Sequence, residues 1–170
     1  EQLMRDPLTG LYNRSAYLQA VDRAVVNWRK HGTTASLLVW DIDFFKNIND
    51  RYGHAVGDRV LSTIAKKLLE GCRQSDIVAR YGGEEFIILF PEISHENALI
   101  AAEKIRRNVQ EMEIDLGTAT IKTTISIGVA VKRHQSDYSL EQVICMADKA
   151  LYKAKNAGRN KSVLYDEDIC

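Results

Sequence analysis

Residues 77–90 read IVARYGGEEFIILF, and the rest of the chain is organised around this stretch. Two short runs of β-branched and aromatic residues flank Gly82-Gly83, a pattern that predicts a β-hairpin. Glycine adopts positive φ readily and lets another backbone or a phosphate group approach closely. Glu84 and Glu85 follow at once, and because adjacent carboxylates repel each other, a nearby cation would relieve them. A solvated turn with two surface glutamates explains the hairpin alone equally well.

The composition indicates one globular domain without bulk charge. The 170 residues include 23 Lys and Arg and 23 Asp and Glu, so the formal net charge is zero. Proteins that bind nucleic acids through their overall charge are usually basic. No apolar run is long enough to span a bilayer. We therefore expect no nucleic-acid partner and no membrane contact. A local basic pocket for a nucleotide is compatible with the zero net charge.

The ends and the cysteines suggest a cytoplasmic domain. The chain begins without Met and shows no signal peptide, so residues 1–170 are expected to be a single domain from a longer protein. Cys72, Cys145 and Cys170 are too widely spaced for a metal site. Cys72 and Cys145 fall on apolar helical faces, which predicts reduced core residues. Cys170 is terminal and indicates nothing.

Hydrophobic periodicity and capping residues predict the order of the elements. Helices are expected from residue 17 to a stop at Gly32, from near Asp58 to 72, from a Ser94 N-cap to 112, and from a Ser139/Gln142 capping box to Gly158. Strands are expected at 37–40, 77–79, 86–90, 121–131 and 162–165.

The order of these elements predicts the fold class. Without the first helix it is β-α-β-β-α-β-α-β, and its first six elements match the ferredoxin-like pattern. We expect an α+β fold with a palm-type, mostly antiparallel sheet of about five strands and helices packed around it. In this order the first strand lies centrally, beside a strand of the hairpin.

Two acidic residues follow the predicted first strand. Asp41 and Asp43 alternate to the same side, with Ile42 opposite. Glu84 can approach Asp41 from the neighbouring hairpin. Oxygen ligands without His or Cys suit Mg²⁺ better than zinc. The competing interpretation is that both aspartates are helix caps or surface acids.

Residues 44–58 are polar and aromatic and have no simple periodicity. Asn and Asp side chains present edges that can recognise guanine, and a carboxylate accepts from guanine N1–H and N2–H together. An irregular loop that ends at an N-cap on Asp58 explains the same residues.

An ordered set of motifs resembles the GGDEF domain of diguanylate cyclases over nearly the whole chain. The matching segments are DPLTGLYNR at 6–14, DIDFFK at 41–46, Asn49-Asp50, Gly53-His54, Gly57-Asp58, the GGEEF signature at 82–86 with Glu in its third position, and the Lys-x-x-Gly-Arg pattern at 155–159. Each motif alone would be a weak signal, whereas their order and spacing together are specific.

The resemblance implies a nucleotidyl cyclase-like fold and a reaction in which two GTP become cyclic di-GMP and two pyrophosphates. Two domains would face each other as an antiparallel homodimer, and each 3′-hydroxyl would attack the α-phosphate of the other GTP. Asp41, the Ile42 carbonyl and Glu84 would hold Mg²⁺, or Mn²⁺ in its place, and Glu84 and Lys46 would be catalytic. The implied substrate contacts are Phe44, Phe45, Asn49, His54, Asp58, Gly83, Lys155 and Arg159.

The resemblance also implies regulation. Arg73-Gln74-Ser75-Asp76 is similar to the family's inhibitory Arg-x-x-Asp motif, where Arg73 and Asp76 would bind the product. The alternative is a helix-terminal Arg beside a turn Asp; Lys155 and Arg159 can likewise be a basic helix end favoured by the macrodipole. An N-terminal sensory or receiver domain, absent from this chain, is expected to control activity, and the parent protein could be membrane-anchored.

Three other functions compete with this interpretation. A cyclase making an adenine-containing product typically has a small hydroxylic residue where this chain has Asp58. A non-catalytic GGDEF domain that senses cyclic di-GMP or GTP usually lacks the signature or the metal acids, which are present here. A polymerase-type palm fragment would be expected to show an excess of basic residues.

Overall fold

The computed structural model describes residues 4–31, 35–132 and 139–165, with the side chains of 25–31 and 132 left out. Within these ranges the helices are α1 (Arg14–His31), α2 (Phe45–Tyr52), α3 (His54–Gly71), α4 (His95–Glu111) and α5 (Leu140–Asn156). The strands are β1 (Ala35–Ile42), β2 (Ile77–Arg80), β3 (Glu85–Pro91), β4 (Ile114–Asp115), β5 (Thr120–Ile121), β6 (Ile125–Lys132) and β7 (Ser162–Leu164).

The main sheet has the strand order β2-β3-β1-β6-β7. All neighbours are antiparallel except β6 and β7, which run parallel. β1 is central and buried along its whole length. The predicted hairpin and the predicted α+β fold with a five-stranded, mostly antiparallel sheet are therefore confirmed. Because β1 lies between β3 and β6, its last residues lie beside the first residues of β3, at the same end of the sheet.

Helices cover both faces of this sheet and form two cores. On one face, under α3 and α4, the Trp40 ring stacks on Phe86 with centroids 5.7 Å apart. On the other face, α1 and α5 bury Tyr17, Val143 and their neighbours. A Cβ on Gly128 would overlap the backbone of α5 at Ala147, so α5 lies directly against β6. This close packing brings the C-terminal end of α5 to the end of β1.

The predicted helix caps are present. The Ser94 hydroxyl accepts a hydrogen bond from the Asn97 N–H, and Ser139 and Gln142 form the expected reciprocal capping box. Gly158 follows the C-cap of α5 with a φ of 111°. The predicted stop of the first helix at Gly32 lies outside the described residues.

Two predicted boundaries were wrong. The segment expected to be an irregular loop contains α2, and α3 begins at His54, so Asp58 lies inside the helix and does not cap it. The single strand expected at 121–131 is divided: β5 pairs with β4 in a separate two-stranded sheet, and β6 begins at Ile125. Cross-strand pairing, which periodicity does not reveal, decides where each strand ends.

The cysteine prediction was wrong for one residue. Cys145 is exposed on α5, whereas Cys72, at the C-cap of α3, is partly buried against the core. Burial raises the pKa of the Cys72 thiol to about 11, with a smaller effect from Asp76. Cys170 lies outside the described residues. Among the helices described, none combines the length and apolarity needed to cross a membrane.

Candidate active site

The Gly-Gly turn is anchored by the N-terminal segment. The Arg80 guanidinium donates to the Gly83 carbonyl at 2.7 and 3.0 Å and to the Asp6 carboxylate at 3.1 and 3.3 Å. Asp6 also accepts from the N–H and hydroxyl of Thr9, at 2.8 and 2.7 Å. Burial raises the pKa of Asp6, but these hydrogen bonds and the Arg80 charge outweigh it and lower the pKa. The DPLT segment therefore fixes the position of the turn.

A cluster of carboxylates forms where this turn meets the end of β1. Asp41 is 6% exposed, and its Oδ2 is paired with the Lys155 ammonium. Its Oδ1 is buried and has no hydrogen-bond partner among the described residues. Glu85 lies opposite Asp41 in the β1–β3 register. Glu84, in the turn, is close enough to be affected by the charge of Asp41. We call Asp41, Glu84, Glu85 and Asp148 the acidic cluster.

The electrostatics of the acidic cluster favour a cation. Burial and then the charge of Asp41 raise the pKa of Glu84, Glu85 and Asp148, and Lys155 opposes this shift in each case. Negative charges held near one another and partly removed from water are stabilised by a bound cation. The unpartnered Oδ1 of Asp41 points to the same conclusion, because buried polar atoms normally have a partner.

The predicted metal ligands are all hard oxygen donors, but side chains alone do not make a complete set. In the part of the chain that the structure describes, no three His, Cys, Asp or Glu side chains converge closely enough to hold an ion by themselves. The predicted set of Asp41, Glu84 and the Ile42 carbonyl needs only two carboxylates. The Ile42 side chain is buried in the core, so its contribution to a metal site would have to come from its backbone carbonyl. Oxygen donors without nitrogen or sulfur fit Mg²⁺ or Mn²⁺.

Asp43, the second acid after β1, belongs to the scaffold. Its carboxylate accepts from the Thr124 hydroxyl at 2.7 Å, the Ser126 hydroxyl at 2.6 Å and the Asn160 N–H at 3.0 Å. A buried carboxylate with three donors is already satisfied. Asp43 therefore ties the end of β1 to β6 and to the loop after α5.

The predicted phosphate-binding residues meet where α2 begins. Phe44 is in the left-handed conformation, with φ 55°, and is 59% exposed. The Arg159 guanidinium lies 4.6 Å from the centre of the Phe44 ring. Phe45 is buried as the first residue of α2, and Lys46 next to it is exposed. Arg159, from the segment after α5, thus lies against the exposed residue that precedes α2, and the exposed Lys46 follows in the first turn of that helix.

The predicted guanine-binding residues lie where α2 meets α3. A Cβ on Gly57 would overlap the Asn49 Oδ1 and lie 3.2 Å from the Phe45 ring, so the helices approach closely only because this residue is glycine. The Asn49 Oδ1 is buried, and in the described part of the chain it has no hydrogen-bond partner. His54 and Asp58 are exposed one turn apart on α3. The side chains of all three residues come from the junction at Gly53.

The predicted product site is separate from these groups. Arg73 and Asp76 lie between α3 and β2 and bind each other: the Asp76 carboxylate accepts from the Arg73 N–H at 2.8 Å and from its guanidinium at 3.1 and 3.3 Å. The Arg73 guanidinium also donates to the Pro91 carbonyl at 3.3 Å. The Arg73 side chain remains 53% exposed.

Two members of the acidic cluster were not predicted as site residues. Glu85 could have been found from the hairpin register, because the strand pairing sets it opposite Asp41. Asp148 lies two helical turns before Lys155 on α5, and such spacing puts both residues on one helix face. Neither signal is visible until the pairing of β1 with β3 and the docking of α5 are known.

Comparison with known proteins supports this description. The family model "Diguanylate cyclase, GGDEF domain" matches residues 3–161. Diguanylate cyclase A of Treponema denticola is 47% identical over 136 residues, which are 80% of this chain and 36% of that protein. The curated relatives matched here are thus much longer, and the chain spans about a third of their length, 36% in the first three.

Solved structures agree as well. The GGDEF domain of DgcB from Caulobacter crescentus, crystallised in complex with c-di-GMP, matches with a TM-score of 0.92 at 34% identity, covering 98% of this chain and 96% of that chain. The active GGEEF domain of a diguanylate cyclase from Vibrio cholerae matches with a TM-score of 0.84 at 32% identity, covering 91% and 97%. With its signature hairpin, its acidic cluster and these matches, the chain belongs to the GGDEF domain family.

Proposed function

We propose that this domain is a diguanylate cyclase half-site that binds one GTP and condenses it with a second GTP into cyclic di-GMP and two pyrophosphates. The observation that carries the proposal is the buried, unpartnered Oδ1 of Asp41 beside Glu84 and Lys155. Such an arrangement is suited to binding a polyanion, such as a triphosphate, together with cations. The family membership supports the same reaction.

The residues of this chain bind and orient the substrate. Asn49 and Asp58 present an amide and a carboxylate to the guanine edge, and His54 lies on the same side of α3. Lys46, Lys155 and Arg159 neutralise the triphosphate, while the N–H groups of Phe44 and Phe45 donate to its oxygens. Gly83 allows the phosphates to approach the turn. Phosphoryl transfer depends mainly on this kind of positioning and charge neutralisation.

Divalent metal ions are used by diguanylate cyclases of this family. Asp41, the Ile42 carbonyl and Glu84 would hold Mg²⁺ here, or Mn²⁺ in its place, and the bound metal would neutralise charge that develops on the phosphates. Glu84 would also accept the proton of the attacking 3′-hydroxyl.

One domain cannot complete the reaction because each site holds a single GTP. We propose that two copies face each other antiparallel, so that each supplies the nucleophile for the other. We also propose that cyclic di-GMP binds at the Arg73–Asp76 pair and locks the two domains in an unproductive arrangement. A regulatory domain elsewhere in the full protein and a cytoplasmic location stay predictions.

Replacing Glu84 tests the proposed site. Glu84→Gln removes the charge with little change of shape, so cyclic di-GMP formation from GTP and Mg²⁺ should fall by at least about 100-fold, in the range of lost acid–base catalysis. The circular dichroism should remain that of the wild type, and the melting temperature should not fall, because the change removes one of the repelling charges of the acidic cluster. Glu92→Gln, which makes the same change past the other end of β3, should leave the rate unchanged. A Glu84→Gln variant with near-normal turnover would refute the assigned role.

A further inference from the structure

The loop that follows α5 has an unusual backbone. Arg159 and Asn160 both adopt the left-handed conformation, with φ values of 62° and 47°. This conformation is unfavourable for most residues other than glycine, although Asn tolerates it better. Strained backbone of this kind persists only where the surrounding structure holds it firmly. The contacts that hold Arg159 and Asn160 in this conformation should therefore be identifiable.

Asn160 is held from two directions. Its backbone N–H donates to the Asp43 carboxylate at 3.0 Å, and its side-chain Oδ1 accepts from the Arg106 guanidinium at 2.9 Å. Asp43 directly follows β1, and Arg106 belongs to α4. The left-handed turn is therefore clamped between the central strand and a helix on the opposite face of the sheet from α5.

Arg106 is itself held rigidly. Its side chain is 14% exposed, and its guanidinium donates to both carboxylate oxygens of Glu103, at 2.7 and 3.0 Å, and to the Gln110 amide oxygen at 2.9 Å. The Ser162 hydroxyl donates to Glu103 at 2.8 Å, so the network reaches β7 on the far side of the loop. Hydrogen bonds from Arg106, and to a lesser extent from Ser162, lower the pKa of Glu103 although burial opposes them.

The adjacent arginine provides a contrast. Arg107 is exposed, and within the described residues its guanidinium donates to the Glu103 carbonyl of its own helix, at 3.3 Å. Two neighbouring residues of the same type thus differ in whether they contact the loop after α5.

We propose that Arg106 is a positioning residue for the triphosphate. Through Asn160 it holds the loop so that the Arg159 guanidinium stays over the Phe44 ring, at the turn proposed to receive the phosphates. Arg106 does not touch the substrate and acts through the geometry of its neighbours. This inference rests on the proposed function, because it concerns the binding of GTP.

The test compares Arg106→Ala with Arg107→Ala in the same chain. Loss of the Arg106–Asn160 hydrogen bond should weaken binding of a non-reactive GTP analogue and raise KM by about tenfold, because a hydrogen bond to a charged group contributes about 1.5 kcal/mol. The kcat should change less than KM. Arg107→Ala should leave the analogue Kd, KM and kcat at their wild-type values.

A second variant keeps the test independent of folding. Asn160→Gly keeps the left-handed backbone accessible but removes the oxygen that accepts from Arg106. It should weaken analogue binding to a similar degree, and the double variant with Arg106→Ala should be no weaker than either single change, since both break one contact. If Arg106→Ala does not fold, the Asn160→Gly measurement decides.

Two results would overturn the positioning role. One is an unchanged analogue Kd in Arg106→Ala or Asn160→Gly. The other is an Arg106→Ala variant in which only inhibition by cyclic di-GMP is weakened, because Arg106 would then be a product ligand. A wild-type chain that makes no cyclic di-GMP would refute the cyclase activity instead, and the analogue Kd values would still decide the role of Arg106.

Discussion

At the scale of single residues, the carboxylates of the acidic cluster destabilise the folded protein when they are charged, although the proposed function uses them. Burial and mutual repulsion raise the pKa values of Glu84, Glu85 and Asp148. Protons are thus bound more tightly in the folded state than in the unfolded state. The stability gained from this tighter proton binding is fully present below the ordinary pKa values, 3.8 for Asp and 4.5 for Glu. It is lost as the pH rises through the raised pKa values of the folded state.

Asp148→Asn should therefore stabilise the metal-free protein at pH 7. The change removes one of the repelling charges without touching a proposed metal ligand. The melting temperature at pH 7 should rise relative to the wild type, and the difference should shrink as the pH falls through the raised pKa of Asp148, where the wild-type carboxyl becomes protonated. Asp22→Asn on α1, where the aspartate is exposed, should change neither value. A lower melting temperature of Asp148→Asn at pH 7 would contradict the assigned repulsion.

Arg73 allows a second test at this scale. Arg73→Ala removes the exposed guanidinium of the Arg73–Asp76 pair, and the concentration of cyclic di-GMP that halves the rate should rise about tenfold or more, as expected for lost hydrogen bonds to a charged group. Inhibition curves with added product measure the effect. Arg59→Ala, an exposed change on α3, is the control. Unaltered inhibition of Arg73→Ala would exclude this pair as the product site.

At the scale of elements, the junction of α2 and α3 shapes the predicted guanine pocket. The helices approach so closely that Gly57 lies against the Asn49 side chain. α2 is only eight residues long, and its N-cap residue, Phe44, makes no capping hydrogen bond with its side chain. It is held by burial of Phe45 and Ile48 rather than by its own propensity.

Gly57→Ala should damage this pocket. The added methyl group overlaps the Asn49 Oδ1, so either the helices separate or Asn49 turns away. Overpacking of this kind costs about 1–3 kcal/mol, and GTP binding should weaken at least tenfold. Gly71→Ala on the same helix meets no atom within 4 Å and should leave binding unchanged. Thermal melts and nucleotide titrations measure both effects, and tight binding by Gly57→Ala would exclude the junction as the base pocket.

The same elements show what sequence could and could not reveal. The hairpin and the caps at Ser94 and Ser139 follow from local signals, and the central position of the first strand beside the hairpin follows from the order of the elements; all were predicted correctly. α2 was missed because eight residues rich in Asn and Asp give neither periodicity nor propensity. The site residues stay predictions in their chemical roles, but the approach of Glu84 to Asp41 was expected from topology alone. Asp148 required the docking of α5 against β6, which glycine at 128 permits.

At the scale of the whole molecule, the proposed reaction needs two copies of the domain. The rate per chain should therefore rise with protein concentration until dimers predominate, because only paired domains turn over. Initial rates of cyclic di-GMP formation over a wide concentration range, with GTP saturating, measure this. A rate strictly proportional to the amount of protein at every concentration would contradict the need for a second copy.

The outermost strand of the sheet has a partial neighbour. Tyr12 forms a parallel bridge with Ala79, donating its N–H to the Val78 carbonyl at 3.3 Å and accepting from the Arg80 N–H at 3.0 Å. Exposed strand edges readily recruit a strand from another molecule. A shortened protein beginning after Tyr12 would leave these backbone groups of β2 uncovered. Its self-association would then proceed by addition of a strand to β2, which leads to aggregates unrelated to catalysis.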